Sequence, residues 1–193
     1  MKKSPILLIT LLILLFESCA LSDKYMNKAT PPVGSTPGKA LVFFMQPNYP
    51  GSLVHQFKIW EDHKLIGISR FKSYFSFECD PGRHYFVSNA HYPHVLEADL
   101  EADKTYFILI KQILDPWPWH TSIQFIPVIR GSEYWDKADK YKQNLKYEVI
   151  QKAAVNEWKS ENRAKTKAEL NEIISYFKIR QYSILRLEKE DGR

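Results

Sequence analysis

The chain has 193 residues, 45% of them apolar and 14% aromatic, with a formal net charge of +5. That length and composition fit one domain of ordinary size with a real core, and they exclude a disordered chain. The charge is modest and no dense Lys/Arg run is present, which excludes the electrostatic footprint of a nucleic-acid-binding protein. Two cysteines, Cys19 and Cys79, are too few for a disulfide framework.

The chain begins with Lys2 and Lys3, an apolar run from Pro5 to Phe16, and Ser18 just before Cys19. A basic start, a short hydrophobic segment and a small residue before a cysteine have the form of a cleaved secretory leader. The run is short for a spanning helix, which needs about 20 apolar residues. The segment resembles the bacterial lipoprotein signal. That resemblance implies that residues 1–18 are removed and that Cys19 becomes a lipid-bearing N-terminus, carrying acyl chains such as palmitate. Lys2, Lys3 and Glu17 leave with the leader, so the mature charge falls to +4. No aspartate follows Cys19 directly, which by the same resemblance favours the outer membrane, facing the periplasm. The alternative is an ordinary leader or an uncleaved anchor.

Residues 19–38 hold Pro31, Pro32, Gly34, Ser35, Pro37 and Gly38 without apolar periodicity, and they read as a flexible tether. From residue 39 to 130 the pattern is β. Ala40 to Met45 and Tyr106 to Ile110 are continuous apolar runs, expected as strands buried on both faces. In Ser73 to Cys79, Phe75, Phe77 and Cys79 share one face, because side chains alternate along a strand. Cys79 reads as a small buried hydrophobe at a strand end, with a disulfide to Cys19 as the alternative if lipidation fails. Asp80-Pro81-Gly82-Arg83 is a turn. Beyond it, Leu96, Ala98 and Leu100 oppose Glu97, Asp99 and Glu101. A last strand is expected over Ile123 to Ile129.

Past Gly131 the period becomes helical. Ser132 is positioned to cap a helix carrying Tyr134, Trp135, Ala138 and Tyr141. A longer helix is expected from Glu148 to Lys178, clearest in the stripe Leu170, Ile173, Ile174 and Phe177. Residues 181–193 read as a tail, with a short strand in Tyr182 to Leu187 and a fraying polar end. The fold expected is mainly β: an antiparallel sandwich of about 7–8 strands, immunoglobulin- or transthyretin-like, over 39–130, with a helical extension over 131–180.

Three segments carry a further likeness: Ala40-Leu41-Val42-Phe43-Phe44, Pro81-Gly82-Arg83-His84-Tyr85-Phe86, and Leu100-Glu101-Ala102-Asp103-Lys104-Thr105-Tyr106-Phe107. In this order after a lipoprotein signal, they resemble an uncharacterised family of bacterial lipoproteins bearing a β-sandwich domain of unknown function. The resemblance runs from Lys39 to Tyr141, about half of the chain. It implies no activity and no catalytic residues.

His84, His91 and His94 lie close in sequence with Cys79, residue types that suit zinc or copper, but their spacing matches no compact motif. His84 is expected within the sheet and His91 and His94 in an exposed loop. Glu97, Asp99 and Glu101 read as a solvated strand face rather than a cation site or an acid/base pair. Asp115-Pro116-Trp117-Pro118-Trp119-His120 presents two tryptophans on a stiff segment. It is suited to a partner protein, a sugar or a lipid interface, or else to capping the end of the sandwich. The Leu170, Ile173, Ile174 and Phe177 stripe needs a cover, either the sandwich itself or a partner.

No nucleophile elbow, zincin helix motif or phosphate-cradling glycine loop is present, and no cofactor is implied. The function expected is that of a lipid-anchored, non-enzymatic binding or structural module of the cell envelope, with an envelope protein or glycan as partner and no nucleic acid. A small secreted metal-dependent hydrolase on the same scaffold is the alternative.

Overall fold

The protein is described from a computed structural model covering residues 25–47, 56–88, 90, 92–114, 121–179 and 185–193. In chain order the strands are β1 Met26–Lys28, β2 Ala40–Gln46, β3 Phe57–Glu61, β4 Lys64–Ser69, β5 Ser73–Cys79, β6 Gly82–Ser88, β7 His94–Leu100, β8 Thr105–Leu114 and β9 Thr121–Pro127. Helix α1 Glu133–Asn144, strand β10 Lys146–Ile150, helix α2 Lys152–Ile179, strand β11 Leu185–Leu187 and a 3-10 turn Lys189–Asp191 complete the order.

The strands form two sheets, one ordered β1-β10-β5-β2-β8-β9 and the other β11-β7-β6-β3-β4. They face each other across a shared core. Val42 and Phe44 of β2, Phe75 and Phe77 of β5 and Ile108 and Ile110 of β8 meet Ile59, Ile66, Phe86 and Leu96 from the second sheet. Phe44 lies at the centre, stacked on Phe75 with centroids 5.0 Å apart and edge-on to Phe86 at 5.0 Å.

Alternation then gives each sheet a second apolar face, which a helix covers. α1 places Tyr134, Trp135, Ala138 and Tyr141 on Leu41, Phe43, Phe107 and Leu109 of the first sheet. α2 places Leu170 and Ile174 on Trp60, Leu65, Val87 and Val95 of the second. The result is four layers, helix–sheet–sheet–helix. This is why all seven residues of β2 are buried: both faces of that strand have a neighbour.

The chain is mainly β, as expected, but the antiparallel immunoglobulin- or transthyretin-like pairing is corrected to two mixed sheets. β2 runs parallel to β8, β10 parallel to β5, and β11 parallel to β7. β10 and β11 flank α2 in sequence and enter beside β5 and β7, and β2 and β8 lie far apart in the chain, so no hairpin turn fixes any of these three pairs as antiparallel.

Three further expectations are corrected. Residues 25–38, placed in the tether, lie on the body: Met26 is buried in the inter-sheet core, β1 pairs antiparallel with β10, and Thr36 donates to Glu78 from both its backbone N–H and its hydroxyl. The single helix from Glu148 is instead β10 followed by α2, because Tyr147 packs on Tyr74 and holds this segment extended. The polar C-terminus does not fray. Leu187 enters the core, and buried Asp191 accepts the backbone N–H groups of Arg130 at 2.9 Å and Glu188 at 3.0 Å. Cys79 is buried in the inter-sheet core, as expected, and has no disulfide partner among the described residues.

Candidate functional site

A groove of about 690 Å3 opens where edge strands β9 and β11 of the two sheets come together beneath α2. α2 contributes Glu172, Ile173, Tyr176 and Phe177. These are two i, i+4 pairs, so the helical repeat sets them side by side. Tyr92 and Pro93 lead into β7, whose first residue, His94, joins the lining. Gln124 of β9 and Leu185 of β11 complete it. Ile173, Phe177 and Leu185 are half-buried. Tyr92 and Tyr176 are 52% and 45% exposed.

Three polar groups face this apolar lining. His94 Nδ1 accepts the Phe125 backbone N–H at 3.4 Å, which ties β7 to β9 across the sheet edges. Burial also pushes the ring below its ordinary pKa, so the imidazole is neutral with its proton on Nε2. That Nε2–H, the Gln124 amide and the Glu172 carboxylate have no protein partner among the described residues.

Ser88 stands opposite His94 in the ladder, and Gln46 and Gln112, buried on β2 and β8, pair with Ser73 and Ile123. Gln46 Oε1 accepts the Ser69 hydroxyl. Gln46 Nε2, Ser88 Oγ and both amide atoms of Gln112 are buried without a partner among the described residues.

His84 is built differently. Its Nδ1 meets Glu61 Oε1 at 2.9 Å and its Nε2 meets the Asp80 carbonyl at 2.8 Å. Both partners are acceptors, so both ring nitrogens donate and the ring is an imidazolium. The Cys79 sulfur and the Glu61 carboxylate push His84 up to about 10, against the desolvation that would lower it. A ring holding both protons has no lone pair for a metal or for general-base work. His84 lies opposite Ala98, four residues along β6 from the Ser88–His94 pair, which puts the two histidines about 13 Å apart along the sheet. They cannot share one ion. His91 lies outside the described residues. His94 itself is not in an exposed loop as expected; it opens β7 and is partly buried.

The acidic strand face is neutralised by ion pairs. Glu97 sits between Arg83 at 3.3 Å and Arg186 at 3.7 Å, Asp99 meets Lys189 at 3.6 Å, and Glu101 meets Lys104 at 2.6 Å. Among the described residues no group of three or more histidines, cysteines or carboxylates is arranged to hold a metal ion.

The α2 stripe divides. Leu170 and Ile174 are buried against the second sheet, while Ile173 and Phe177 pack partly against the same cluster and also line the groove. Cys19, Trp117 and Trp119 lie outside the described residues. Sequence reasoning missed Tyr92, Gln124, Glu172, Tyr176 and Leu185 as site residues. The i, i+4 partnership of Glu172 with Tyr176 beside the apolar stripe was the available signal. Nothing local marks the other three. Comparison of the chain with protein-family models, with curated proteins and with solved structures finds no match.

Proposed function

We propose that this chain is a lipid-anchored lipoprotein of the cell envelope, held through Cys19 at the periplasmic face of the outer membrane, and that it works as a non-enzymatic binding module whose ligand seats in the groove beneath α2. The groove carries the binding half of this reading. Its volume is in the range of ligand pockets, it is mainly apolar, and among the described residues the His94 Nε2–H, the Gln124 amide and the Glu172 carboxylate meet no protein partner. The anchoring half rests on Lys2, Lys3, the Pro5–Phe16 run and Cys19, together with the resemblance to the uncharacterised lipoprotein family. In layering, the two facing sheets are akin to immunoglobulin- and transthyretin-like binding modules, with the strand pairing different. The mechanism is confinement: acyl chains keep the body in a thin layer and raise its effective concentration for envelope components, protein or glycan.

Two experiments test the halves separately. Cys19→Ala moves the protein from the membrane fraction to the soluble fraction, and mass spectrometry of the native N-terminus finds an acylated sulfur; an unmodified thiol there removes the anchor. Native mass spectrometry of protein extracted from its own membranes shows a small-molecule adduct that survives Val33→Ala, at an exposed site away from the groove, and is lost in Ile173→Trp, which puts a bulky ring where the ligand's apolar body would lie. An adduct that persists in Ile173→Trp places the ligand elsewhere.

A further inference from the structure

The groove differs in charge from the chain that carries it. The chain is basic at +5, yet the one charged side chain lining the groove among the described residues is Glu172. His94 is held neutral by its Nδ1 acceptor contact with the Phe125 N–H. Two cations stand nearby in register, and neither lines the groove. Lys111 faces Gln124 across the β8–β9 ladder and is exposed, while Lys178 sits over the Tyr85 ring, 4.1 Å from its centroid. Three aromatic rings, Tyr92, Tyr176 and Phe177, line the same space.

Aromatic rings offer a negative quadrupole, and a carboxylate adds a full negative charge. Together they favour a cation whose charge is spread over carbon-bearing groups, since such an ion loses little hydration on entering. An anion would meet Glu172 with no cation lining the groove among the described residues. An uncharged ligand would gain at most a hydrogen bond from the carboxylate, without the Coulomb attraction that a cation adds. We infer that the groove binds an organic cation with an apolar body, of the alkyl- or arylammonium class, with the ammonium among Tyr92, Tyr176 and Glu172 and the body on Ile173, Phe177 and Leu185. This rests on the groove being the binding site. It adds the chemical class of the occupant. The His94 Nε2–H and the Gln124 amide remain to hydrogen-bond a hydroxyl or carbonyl on the body.

The test is isothermal titration of the full-length chain in non-ionic detergent with benzyltrimethylammonium, benzyl alcohol, benzenesulfonate and maltose. Benzyltrimethylammonium is expected to bind about tenfold more tightly than benzyl alcohol, with no saturable binding of benzenesulfonate. Tyr176→Ala weakens the ammonium about tenfold, and Tyr176→Phe, which keeps the ring, does not. Glu172→Gln weakens the ammonium about threefold and leaves benzyl alcohol unchanged. Both positions are exposed, so neither variant threatens the fold.

Equal affinity for benzyltrimethylammonium and benzyl alcohol, or an ammonium preference intact in Glu172→Gln, overturns this inference while leaving the groove as a binding site. Binding of maltose in place of the ammonium overturns it in favour of a glycan. Ammonium binding undiminished in Ile173→Trp, or no binding by any of the four probes, overturns the groove reading as well.

Discussion

His84 shows how a single ring couples sequence to stability. Both its nitrogens face acceptors, so the folded state binds a proton that the unfolded chain holds only below about pH 6.5. A folded pKa raised to about 10 makes this contribution fully present below the unfolded value and lost as pH rises through about 10. Thermal melts should therefore show stability falling between pH 7 and 10, and His84→Gln should flatten that slope. A wild-type melting temperature that is level across this window contradicts the imidazolium.

Two other residues make opposite predictions. A Cβ at Gly67 would lie 2.3 Å from the Phe75 ring, inside the inter-sheet core, so Gly67→Ala should cost about 1–3 kcal/mol in a denaturant titration. Gln112 buries both amide atoms without a partner, so Gln112→Leu should gain about 1 kcal/mol or more by removing unmet polar groups. A loss there would mean that the amide is satisfied in solution.

At the scale of elements, the segments outside the predicted sandwich hold it together. β10 enters the first sheet between β1 and β5, and buried Glu148 on it takes two hydrogen bonds from Arg70, at the start of the β4–β5 connection. Removing Arg70 strands a buried carboxylate. Arg70→Ala should cost about 3–5 kcal/mol, and Glu148→Leu in the same background should recover much of it. Additive losses in the double variant would show that the pair is not coupled.

The C-terminal segment is a strap of the same kind. β11 runs beside β7, Asp191 caps two backbone N–H groups, and Arg193 reaches α1 through Asp139 Oδ2 at 2.7 Å and the Trp135 ring, 4.2 Å from its centroid. The strap links both sheets and α1, and through Leu185 it forms part of the groove.

For the whole molecule, anchoring through Cys19 as proposed would bound the distance between the body and the bilayer by the chain from Cys19 to Tyr25. Tyr25 already packs against the inter-sheet core, and an extended chain from Cys19 to Tyr25 spans at most about 20 Å. With Cys19 acylated, the folded body would stand close to the membrane surface rather than at the end of a long spacer. Energy transfer from the protein's tryptophans to a membrane-embedded acceptor should be strong and should fall when a flexible insert is placed after Cys19. Transfer that ignores the insert would mean that the body touches the bilayer by another surface.

Much of this architecture was legible in the residues because its signals are local. The alternation in Ser73–Cys79, the turn at Pro81-Gly82, the doubly apolar runs of β2 and β8 and the helical spacing of Tyr134, Trp135, Ala138 and Tyr141 each state which faces must be covered. Local pattern does not state what covers them. Parallel pairing of β2 with β8, insertion of β10 and β11, and recruitment of Met26 from a proline-rich segment are choices among distant partners, decided by which apolar faces remain open once the tight hairpins form. The groove belongs to that second kind. Tyr92 and His94, Gln124, Glu172 and Leu185 come from four separate segments, and only closing the sheet edges under α2 brings them together.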